Sequence, residues 1–529
     1  MKNYEIKVDE FANAYIELES RCMTQSSSWV LEFLIEVAPE INLTIPPDNI
    51  KVSFAKTLFR NGEFKRVQLL LQNETDQKSQ SIYFLSKLLD TQRQLQQCIP
   101  DDSTFIGDLA VSTKNMFEAY ELIVNEAKPY VSNFDALNLY IFALMLTKSG
   151  KYEEALKYLL QSLNQFPLNH SGWKLLINIL IRFDNNVIGN ALSQLPAHVT
   201  SEIFKIELKS QLQMEDASVL FAKLNLPRVA PIIALEASIH YYGRNFEQSA
   251  LLFAELRNKY PLRLESLELF SHLLFVKEDL AALSELAQKL VQIDKFRPET
   301  LTVLGNFFAL SGRHEDAIEQ FAMCLRFDSD FSFAWTLIGH EYIELQNSSA
   351  ATAAYIKAFE SNPRDFRALY GLGRAFELSR MPFHAILFYR KALTVNPSDS
   401  RLWMALGECY EELLQYENAI KCYQRAVCNT DSEGTAIYKL GKLYKETNED
   451  DKAAFCFETF VGKKNVIDTR EDSERVDNER EAVSFLANYY LAKKKTDKAN
   501  IYANMMLQDP SMAQDGKALM KDINSLKKA

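Results

Sequence analysis

Glycine and proline are scarce in this chain of 529 residues, which contains 16 Gly and 15 Pro. Each residue type makes up about 3% of the chain, whereas about 7% and 5% are usual. This shortage excludes turn-rich all-β folds, collagen-like chains and low-complexity chains. The 34 Phe and 23 Tyr argue against intrinsic disorder, because they supply apolar surface for a core. The composition therefore favours a folded, mostly helical protein.

Basic residues are outnumbered as well, since 59 Lys and Arg stand against 70 Asp and Glu, for a net charge of −11. Nucleic acids and anionic membranes attract basic surfaces, so neither is expected as a partner, and an arginine-bearing partner is more plausible. No apolar run approaches the roughly 20 residues that span a bilayer. The N-terminus lacks the apolar core of a signal peptide. We therefore expect the protein in the cytosol or nucleus.

Motifs for metal binding and catalysis are also missing. The seven cysteines are odd in number and scattered without a CxxC pair, which favours reduced, packed thiols over disulfides or a zinc site. The string HEYIE at 340–344 lacks the second histidine of a zinc-binding helix. GLGRAFE at 371–377 lacks the third glycine of a dinucleotide fingerprint. These observations predict a protein that is not an enzyme and has no cofactor.

What the sequence does contain is a period of 34 residues. Three series of residues repeat at this spacing: glycines, alanines and aromatic residues. They are Gly305, Gly339, Gly373, Gly407 and Gly441; Ala317, Ala351, Ala385, Ala419 and Ala453; and Phe321, Tyr355, Tyr389, Tyr423 and Phe457. A helix–turn–helix unit of this length is typical of the tetratricopeptide repeat (TPR). Small residues are expected where two helices cross closely, because a larger side chain would overpack the contact.

The pattern predicts an all-α fold, a TPR superhelical solenoid of stacked helix-turn-helix repeats. We expect an N-terminal helical cap at 1–45, TPR-like repeats at 46–230 and a C-terminal TPR superhelix with a peptide groove at 231–462. A charged insertion at 463–480 and a last repeat with a C-terminal helix at 481–529 complete the chain. The insertion is predicted to be a solvated loop, perhaps with an extended helix end, and the polar stretch at 90–134 another surface loop. Trp335 and Trp403 are expected in the core.

First helices of stacked TPR units line a concave surface. With glycine at position 8, positions 2, 5, 9, 12 and 13 of each unit face this surface. The glutamates there, with Tyr370 and Asn306, would suit an arginine, whose fork pairs with carboxylates and whose plane stacks on aromatic rings. Those glutamates are Glu344, Glu377, Glu408, Glu411 and Glu412. An equally open alternative is that they are solvated helix-face residues, and Arg374 could pair with Glu408 or Glu344 instead of a ligand.

A competing type of groove is that of TPR cochaperones, which hold a C-terminal carboxylate with lysine, arginine and asparagine side chains. Position 5 carries no lysine in any of the five units, where it reads Thr302, Thr336, Tyr370, Met404 and Tyr438. The groove is rich in acidic residues, although Asn306 would fit the cochaperone pattern. An arginine-bearing ligand is therefore favoured over a carboxylate-bearing one.

Several strings are more specific than the TPR pattern. They are GNFF at 305–308, GHEY at 339–342, GLG at 371–373, MPF at 381–383 and GECYE at 407–411. With their flanking sequence between residues 293 and 426, these strings resemble the subunit-eight TPR family of the anaphase-promoting complex (cyclosome), the multisubunit ubiquitin ligase of mitosis. The chain departs from the family at GNFF, where GNYY is usual.

The resemblance implies a non-catalytic scaffold of the cyclosome that supports ubiquitination of cell-cycle regulators, in the nucleus and cytoplasm. It implies other cyclosome subunits as partners and a homodimer formed through the N-terminal repeats. It also implies that the C-terminal groove binds the arginine-containing C-box of a WD40 co-activator. The predicted groove residues are Asn306, His340, Glu341, Glu344, Tyr370, Arg374, Glu377, Glu408 and Glu411. The alternative is a generic TPR adaptor or cochaperone that binds peptide termini.

Overall fold

The computed structural model describes residues 7–38, 41, 43, 49–97, 117–212, 216–224, 226–328, 331–429, 434–462, 473–509 and 511–528. Over these ranges the chain consists of helices and their connections, and no residue there lies in a β-strand. The predicted all-helical TPR array is confirmed. The chain forms two compact units, Met1–Arg364 and Asp365–Ala529.

The first unit contains α1 to α20 and one short 3₁₀ helix at Lys128–Asn133. The helices are α1 (Val8–Ser20), α2 (Thr24–Val37), α3 (Ile50–Arg60), α4 (Phe64–Leu71), α5 (Gln77–Gln97), α6 (117–127), α7 (Ala136–Lys148), α8 (Tyr152–Gln165), α9 (His170–Leu180), α10 (Asn185–Ser193), α11 (Val199–Gln211), α12 (Asp216–Lys223), α13 (Ala230–Tyr242), α14 (Phe246–Lys259), α15 (Leu267–Val276), α16 (Leu280–Ile293), α17 (Pro298–Leu310), α18 (His314–Phe327), α19 (Ser332–Glu344) and α20 (Ser348–Ser361).

The second unit contains α21 to α29. These helices are α21 (Phe366–Leu378), α22 (Pro382–Val395), α23 (Ser400–Glu412), α24 (Tyr416–Cys428), α25 (Thr435–Glu446), α26 (Asp450–Gly462), α27 (Ser473–Ala492), α28 (Thr496–Gln508) and α29 (Ala513–Lys528).

The hairpin of α21 and α22 illustrates why these sequences fold as repeats. Asp365 caps α21 by accepting a hydrogen bond from the backbone N–H of Arg367 at 3.0 Å. Pro382 begins α22, where its missing N–H leaves no helical hydrogen bond unmade. Ala385 and Tyr389 of α22 are fully buried against α21. Caps thus set the helix ends, and the small and aromatic residues of the repeat set the packing.

Each glycine of the 34-residue series lies against the aromatic residue sixteen positions later in the same hairpin. A Cβ atom built on these glycines would come too close to a ring carbon of Phe321, Tyr355, Tyr389, Tyr423 or Phe457. The distances to Cε1, in chain order, are 2.2, 2.4, 2.2, 2.6 and 2.9 Å. The glycine series is therefore explained by ring packing between the two helices of each repeat.

The turn inside each hairpin has one residue in the left-handed region. Its φ is 74° at Gly312, 57° at Gln346, 56° at Arg380, 58° at Leu414 and 60° at Asn448. For a residue other than glycine this conformation costs roughly 1–2 kcal/mol. Four of these five hairpins therefore carry local backbone strain.

Replacing Leu414 with glycine is expected to raise the free energy of unfolding of the second unit by about 0.5–1 kcal/mol. The side chain is 71% exposed, so little packing is lost, and the relief of strain exceeds the entropy cost of glycine. The urea midpoint of the full chain, followed by circular dichroism, measures the gain. Gly312→Leu should lower the midpoint, and a lower midpoint for Leu414→Gly would contradict the assignment.

The N-terminal hairpin packs against helices much further along the chain. The Ser26 hydroxyl donates to Oδ1 of Asn169 at 2.8 Å, and Trp29 stacks on His170 with ring centroids 4.7 Å apart. Arg263 also forms an ion pair with Glu32 of α2. Helix α2 is thus built into the core shared with α9 and α13. The proposed boundaries at 45 and 230 remain predictions.

Two loop predictions have different outcomes. The prediction of a surface loop at 90–134 is wrong at both ends, because α5 continues to Gln97, α6 covers 117–127 and a 3₁₀ helix follows. Residues 98–116 lie outside the described residues. Residues 463–472 of the charged insertion also lie outside them, and 473–480 form the first turns of α27, in line with an extended helix end.

The predictions for tryptophan and cysteine are only partly confirmed. Trp335 is 3% exposed and belongs to the core. Trp403 is only half-buried, because its indole N–H donates to the carbonyl of Pro397 at 2.8 Å near the surface. Five described cysteines are buried, whereas Cys428 is exposed, and Cys98 lies outside the described residues.

Candidate peptide-binding surface

The predicted groove residues occupy the first helices of consecutive hairpins. In the first unit they are Asn306 on α17 and His340, Glu341 and Glu344 on α19. In the second unit they are Tyr370, Arg374 and Glu377 on α21 and Glu408 and Glu411 on α23. Because the period of the repeat equals 34 residues, equivalent positions recur on the same face of each first helix.

Asn306 ties two neighbouring first helices together. Its side chain is 1% exposed, and Nδ2 donates to the hydroxyl of Ser271 on α15 at 2.8 Å. Ser271 is itself fully buried and belongs to the preceding repeat. The amide of Asn306 therefore supports the packing of repeats in the first unit.

His340 is held by a tyrosine of its own repeat. Oη of Tyr355 lies 2.7 Å from Nδ1 of His340, and the two rings meet edge to face at a centroid distance of 5.5 Å. Tyr355 is fully buried beneath Gly339, so its hydroxyl reaches the first helix from inside the hairpin. The contact fixes the orientation of a half-buried imidazole.

Glu341 is directed toward α18. Nδ1 of His314 lies 2.7 Å from Oε2 of Glu341, whose side chain is 6% exposed. Burial raises the pKa of Glu341, whereas the hydrogen bond from His314 opposes that rise. Glu344, one turn further along, is exposed at the C-terminal end of α19. Of these two carboxylates, only Glu344 lies open to solvent.

Tyr370, Arg374 and Glu377 lie together on α21. Glu377 receives two internal donors on the same oxygen, Oε2: the Tyr389 hydroxyl at 3.0 Å and Nη1 of Arg374 at 3.2 Å. The rings of Tyr370 and Tyr389 are 5.8 Å apart. Burial raises the pKa of Glu377, and the charge of Glu408 adds to the rise, while Tyr389 and Arg374 oppose it.

Glu408 and Glu411 continue the acidic surface on α23. Lys439 of α25 forms an ion pair with Oε1 of Glu408. Oε2 of Glu411 accepts a hydrogen bond from the Tyr423 hydroxyl at 2.8 Å. The predicted partner of Arg374 is thus replaced by Glu377, three residues away on the same helix, and Glu408 pairs with lysine.

The structure adds three residues that the sequence analysis placed only in the core. The hydroxyls of Tyr355, Tyr389 and Tyr423 each reach a predicted groove residue. A signal was present in the sequence. Tyrosine occurs where His340, Glu377 or Glu411 can accept its hydrogen bond, and phenylalanine occurs in the repeats of Phe321 and Phe457. The position of Glu377 is taken there by Ala309 and Lys445.

The surface of the second unit is suited to a cation that donates several hydrogen bonds. The side chain of Glu377 is 13% exposed and that of Glu408 is 29% exposed. Within the described part of the second unit, Oε1 of Glu377 and Oε1 of Glu411 accept no hydrogen bond. A guanidinium group presents parallel N–H donors that match such carboxylates.

Neither a metal site nor a membrane span occurs in the described ranges. No group of three or more His, Cys, Asp and Glu residues among them is arranged to hold a metal ion. None of the helices described above combines the length and the apolar character that a bilayer crossing requires.

Comparisons with known proteins give consistent matches. Residues 44–226 match the family model described as anaphase promoting complex subunit 8 / Cdc23. Residues 336–380 and 400–427 match models of the tetratricopeptide repeat. The match to the subunit 8 model thus falls on the N-terminal repeats, upstream of the strings that carry the resemblance in the sequence.

Similar proteins include anaphase-promoting complex subunit 8 of Arabidopsis thaliana, 33% identical over 56% of this chain and 51% of the relative. The protein of that name from Dictyostelium discoideum is 34% identical over 45% of this chain and 40% of the relative. The chain thus spans about half the length of these relatives or less. The crystal structure of the APC/C hetero-tetramer Cut9-Hcn1 matches with a TM-score of 0.58 and 15% identity, over 98% of this chain and 96% of that one, which shows a shared fold.

Proposed function

The chain belongs to the anaphase-promoting complex subunit 8 / Cdc23 family, and we propose from this premise that it is a non-catalytic TPR scaffold subunit of the cyclosome. In this role it assembles with other cyclosome subunits in the nucleus and cytoplasm and supports ubiquitination of cell-cycle regulators in mitosis. The matches to the subunit 8 family and the TPR fold support this role. They also favour it over a generic TPR adaptor.

The scaffold recruits a WD40 co-activator through the arginine of its C-box. The observation that carries this proposal is the pair of carboxylates in adjacent repeats, Glu377 and Glu411, each held by an internal donor on one oxygen only. Tyr370, beside Glu377, offers a ring on which a guanidinium can stack. The other proposed contacts are Arg374 and Glu408 of the second unit and Asn306, His340, Glu341 and Glu344 of the first.

Affinity purification of the full chain from mitotic cells, followed by mass spectrometry, tests the scaffold role. We expect the other cyclosome subunits, including a cullin and a RING subunit, in the eluate. A scan of arginine-box peptides against acidic C-terminal peptides then tests the ligand. Absence of any ligase subunit contradicts the scaffold role, and binding of only the acidic C-terminal peptides would favour the cochaperone alternative.

The N-terminal repeats are proposed to form a homodimer. Helices α3 and α4 expose large apolar side chains, with Ile50 86%, Phe54 47% and Leu69 76% exposed. Exposed apolar surface of this kind is typical of interaction sites. It lies in the predicted repeat region at 46–230, which supports dimerisation there.

Replacing Leu69 with serine is expected to raise the dissociation constant of the dimer roughly tenfold, because burying a leucine contributes about 1.5–3 kcal/mol. Analytical ultracentrifugation of the full chain measures this change. Leu262 is 73% exposed and lies outside 46–230, so Leu262→Ser is the matched control and should leave the dimer intact. A monomeric wild-type chain would contradict the proposed dimer.

A further inference from the structure

Tyr389 and Tyr423 carry polar groups through the interior of their hairpins. Both residues are fully buried, and their rings lie directly against Gly373 and Gly407. A Cβ on Gly373 would come within 2.2 Å of Cε1 of Tyr389. The absence of a side chain on the glycine is therefore what lets the ring pass between the helices and its hydroxyl reach the first helix.

Each hydroxyl binds one oxygen of one carboxylate. Tyr389 donates to Oε2 of Glu377 at 3.0 Å, and Tyr423 donates to Oε2 of Glu411 at 2.8 Å. Arg374 adds its donor to the same Oε2 of Glu377. In the described residues of this unit the Oε1 atoms receive no donor, so each glutamate has one engaged oxygen and one acceptor left for a ligand.

The flanking repeats show that the hydroxyl is not needed for packing. Phe321 and Phe457 are fully buried and lie against Gly305 and Gly441 in the same way. Where Ala309 or Lys445 takes the place of glutamate, no acceptor stands above the ring and phenylalanine suffices. The hydroxyls thus accompany the carboxylates.

We propose that Tyr389 and Tyr423 are positioning residues for an arginine-bearing ligand. Each hydroxyl holds its glutamate through one oxygen and presents the other oxygen to the guanidinium, so less side-chain freedom is lost when the ligand binds. This inference rests on the proposed function. It goes beyond it by assigning the orientation of the acidic surface to two residues that do not touch the ligand.

Isothermal titration of the full chain with an arginine-box peptide tests the proposal. A peptide in which citrulline replaces each arginine serves as the neutral control ligand. The double variant Tyr389→Phe/Tyr423→Phe should bind the arginine peptide roughly tenfold more weakly. Its weak binding of the citrulline peptide and its thermal midpoint should stay at the wild-type values, since Phe321 and Phe457 show that the packing accepts phenylalanine.

Tyr490 provides the matched control variant. It is buried in the second unit and donates to Glu458 of α26, away from the predicted groove residues. Tyr490→Phe removes the same kind of hydrogen bond and should leave the affinity for the arginine peptide unchanged. A tenfold loss in this variant would mean that any lost tyrosine hydroxyl weakens binding, and it would overturn the proposal.

The pH profile separates positioning from a general effect on structure. The groups that face Glu377 are Arg374 on its own helix, Tyr389 on α22, and Glu408 and Cys409 on α23. Loss of the Tyr389 hydroxyl removes a donor that favours the charged carboxylate, so protonation begins at higher pH. The loss of affinity in Tyr389→Phe should therefore be larger at pH 5.5 than at pH 7.5.

Glu377→Gln distinguishes failure of this inference from failure of the proposed function. If Glu377→Gln weakens binding more than tenfold and the double phenylalanine variant binds like wild type at both pH values, the positioning role is wrong. If both variants bind like wild type, the acidic surface is not the ligand site and the proposed function fails with it. Weakened binding in both supports the positioning role.

Discussion

Replacing Glu377 with lysine is expected to weaken binding of an arginine-box peptide roughly 100-fold, equivalent to about 2.7 kcal/mol. The change removes the acceptor for the guanidinium and places an ammonium group beside Arg374, which loses its only partner among the described residues. The surface around α21 then repels an arginine. Isothermal titration of the full chain measures the loss.

The controls for this variant separate local charge from folding. Glu417 is exposed on α24, a second helix, so Glu417→Lys makes the same charge change away from the predicted groove and should leave affinity unchanged. Circular dichroism should show unaltered helicity in both variants. Glu408→Lys should also abolish binding, and unchanged affinity in both Glu377→Lys and Glu408→Lys would show that the groove assignment is wrong.

The repeats at 297–462 could be predicted from sequence because their packing is local. The glycine and the aromatic residue that meet in each hairpin are sixteen positions apart, as in Gly373 and Tyr389, so their spacing appears directly in the chain. The turn residue with positive φ recurs with the same period. Every structural requirement of these hairpins therefore leaves a periodic trace.

The N-terminal repeats could not be read in the same way, because their contacts are distant in sequence. Ser26 and Trp29 pack on Asn169 and His170, more than 140 positions away. No short spacing reveals such a contact. Likewise, α5 extends to Gln97 without a glycine series to mark its end, so a polar composition was mistaken for a loop.

The candidate surface was predictable in its residues and not in their states. The acidic positions on α21 and α23 follow from the register, but the sequence alone did not show that Lys439 neutralises Glu408 or that Glu341 turns toward His314. Those pairings depend on which rotamers the neighbouring helices leave open. The tyrosine hydroxyls were overlooked because an aromatic position in a repeat is normally assigned to packing alone.

Replacing Gly373 with alanine is expected to lower the free energy of unfolding of the second unit by about 2 kcal/mol. The added Cβ would lie 2.2 Å from Cε1 of Tyr389 and 2.6 Å from both Cδ1 and Cζ. The ring is fully buried and its hydroxyl is bound to Glu377, so it cannot move aside without loss. Overpacking of about 1–3 kcal/mol or more exceeds the gain in helix propensity of about 1 kcal/mol.

Gly189 tests the sign of this argument in the same chain. It lies inside α10, and nothing stands within 4 Å of a Cβ built there. Gly189→Ala should therefore raise stability by roughly 0.5–1 kcal/mol, whereas Gly373→Ala lowers it, as judged by urea midpoints followed by circular dichroism. Equal shifts in the two variants would contradict the ring-packing explanation.

A second change at Tyr389 should recover part of the stability lost in Gly373→Ala. Tyr389→Leu removes the ring carbons that meet the new Cβ, so the two changes should be coupled in a double-mutant cycle. The recovered protein would still lack the hydroxyl that holds Glu377. Restored stability without restored affinity for the arginine-box peptide is therefore the expected result, because Gly373 serves folding through the ring and ligand binding through the hydroxyl.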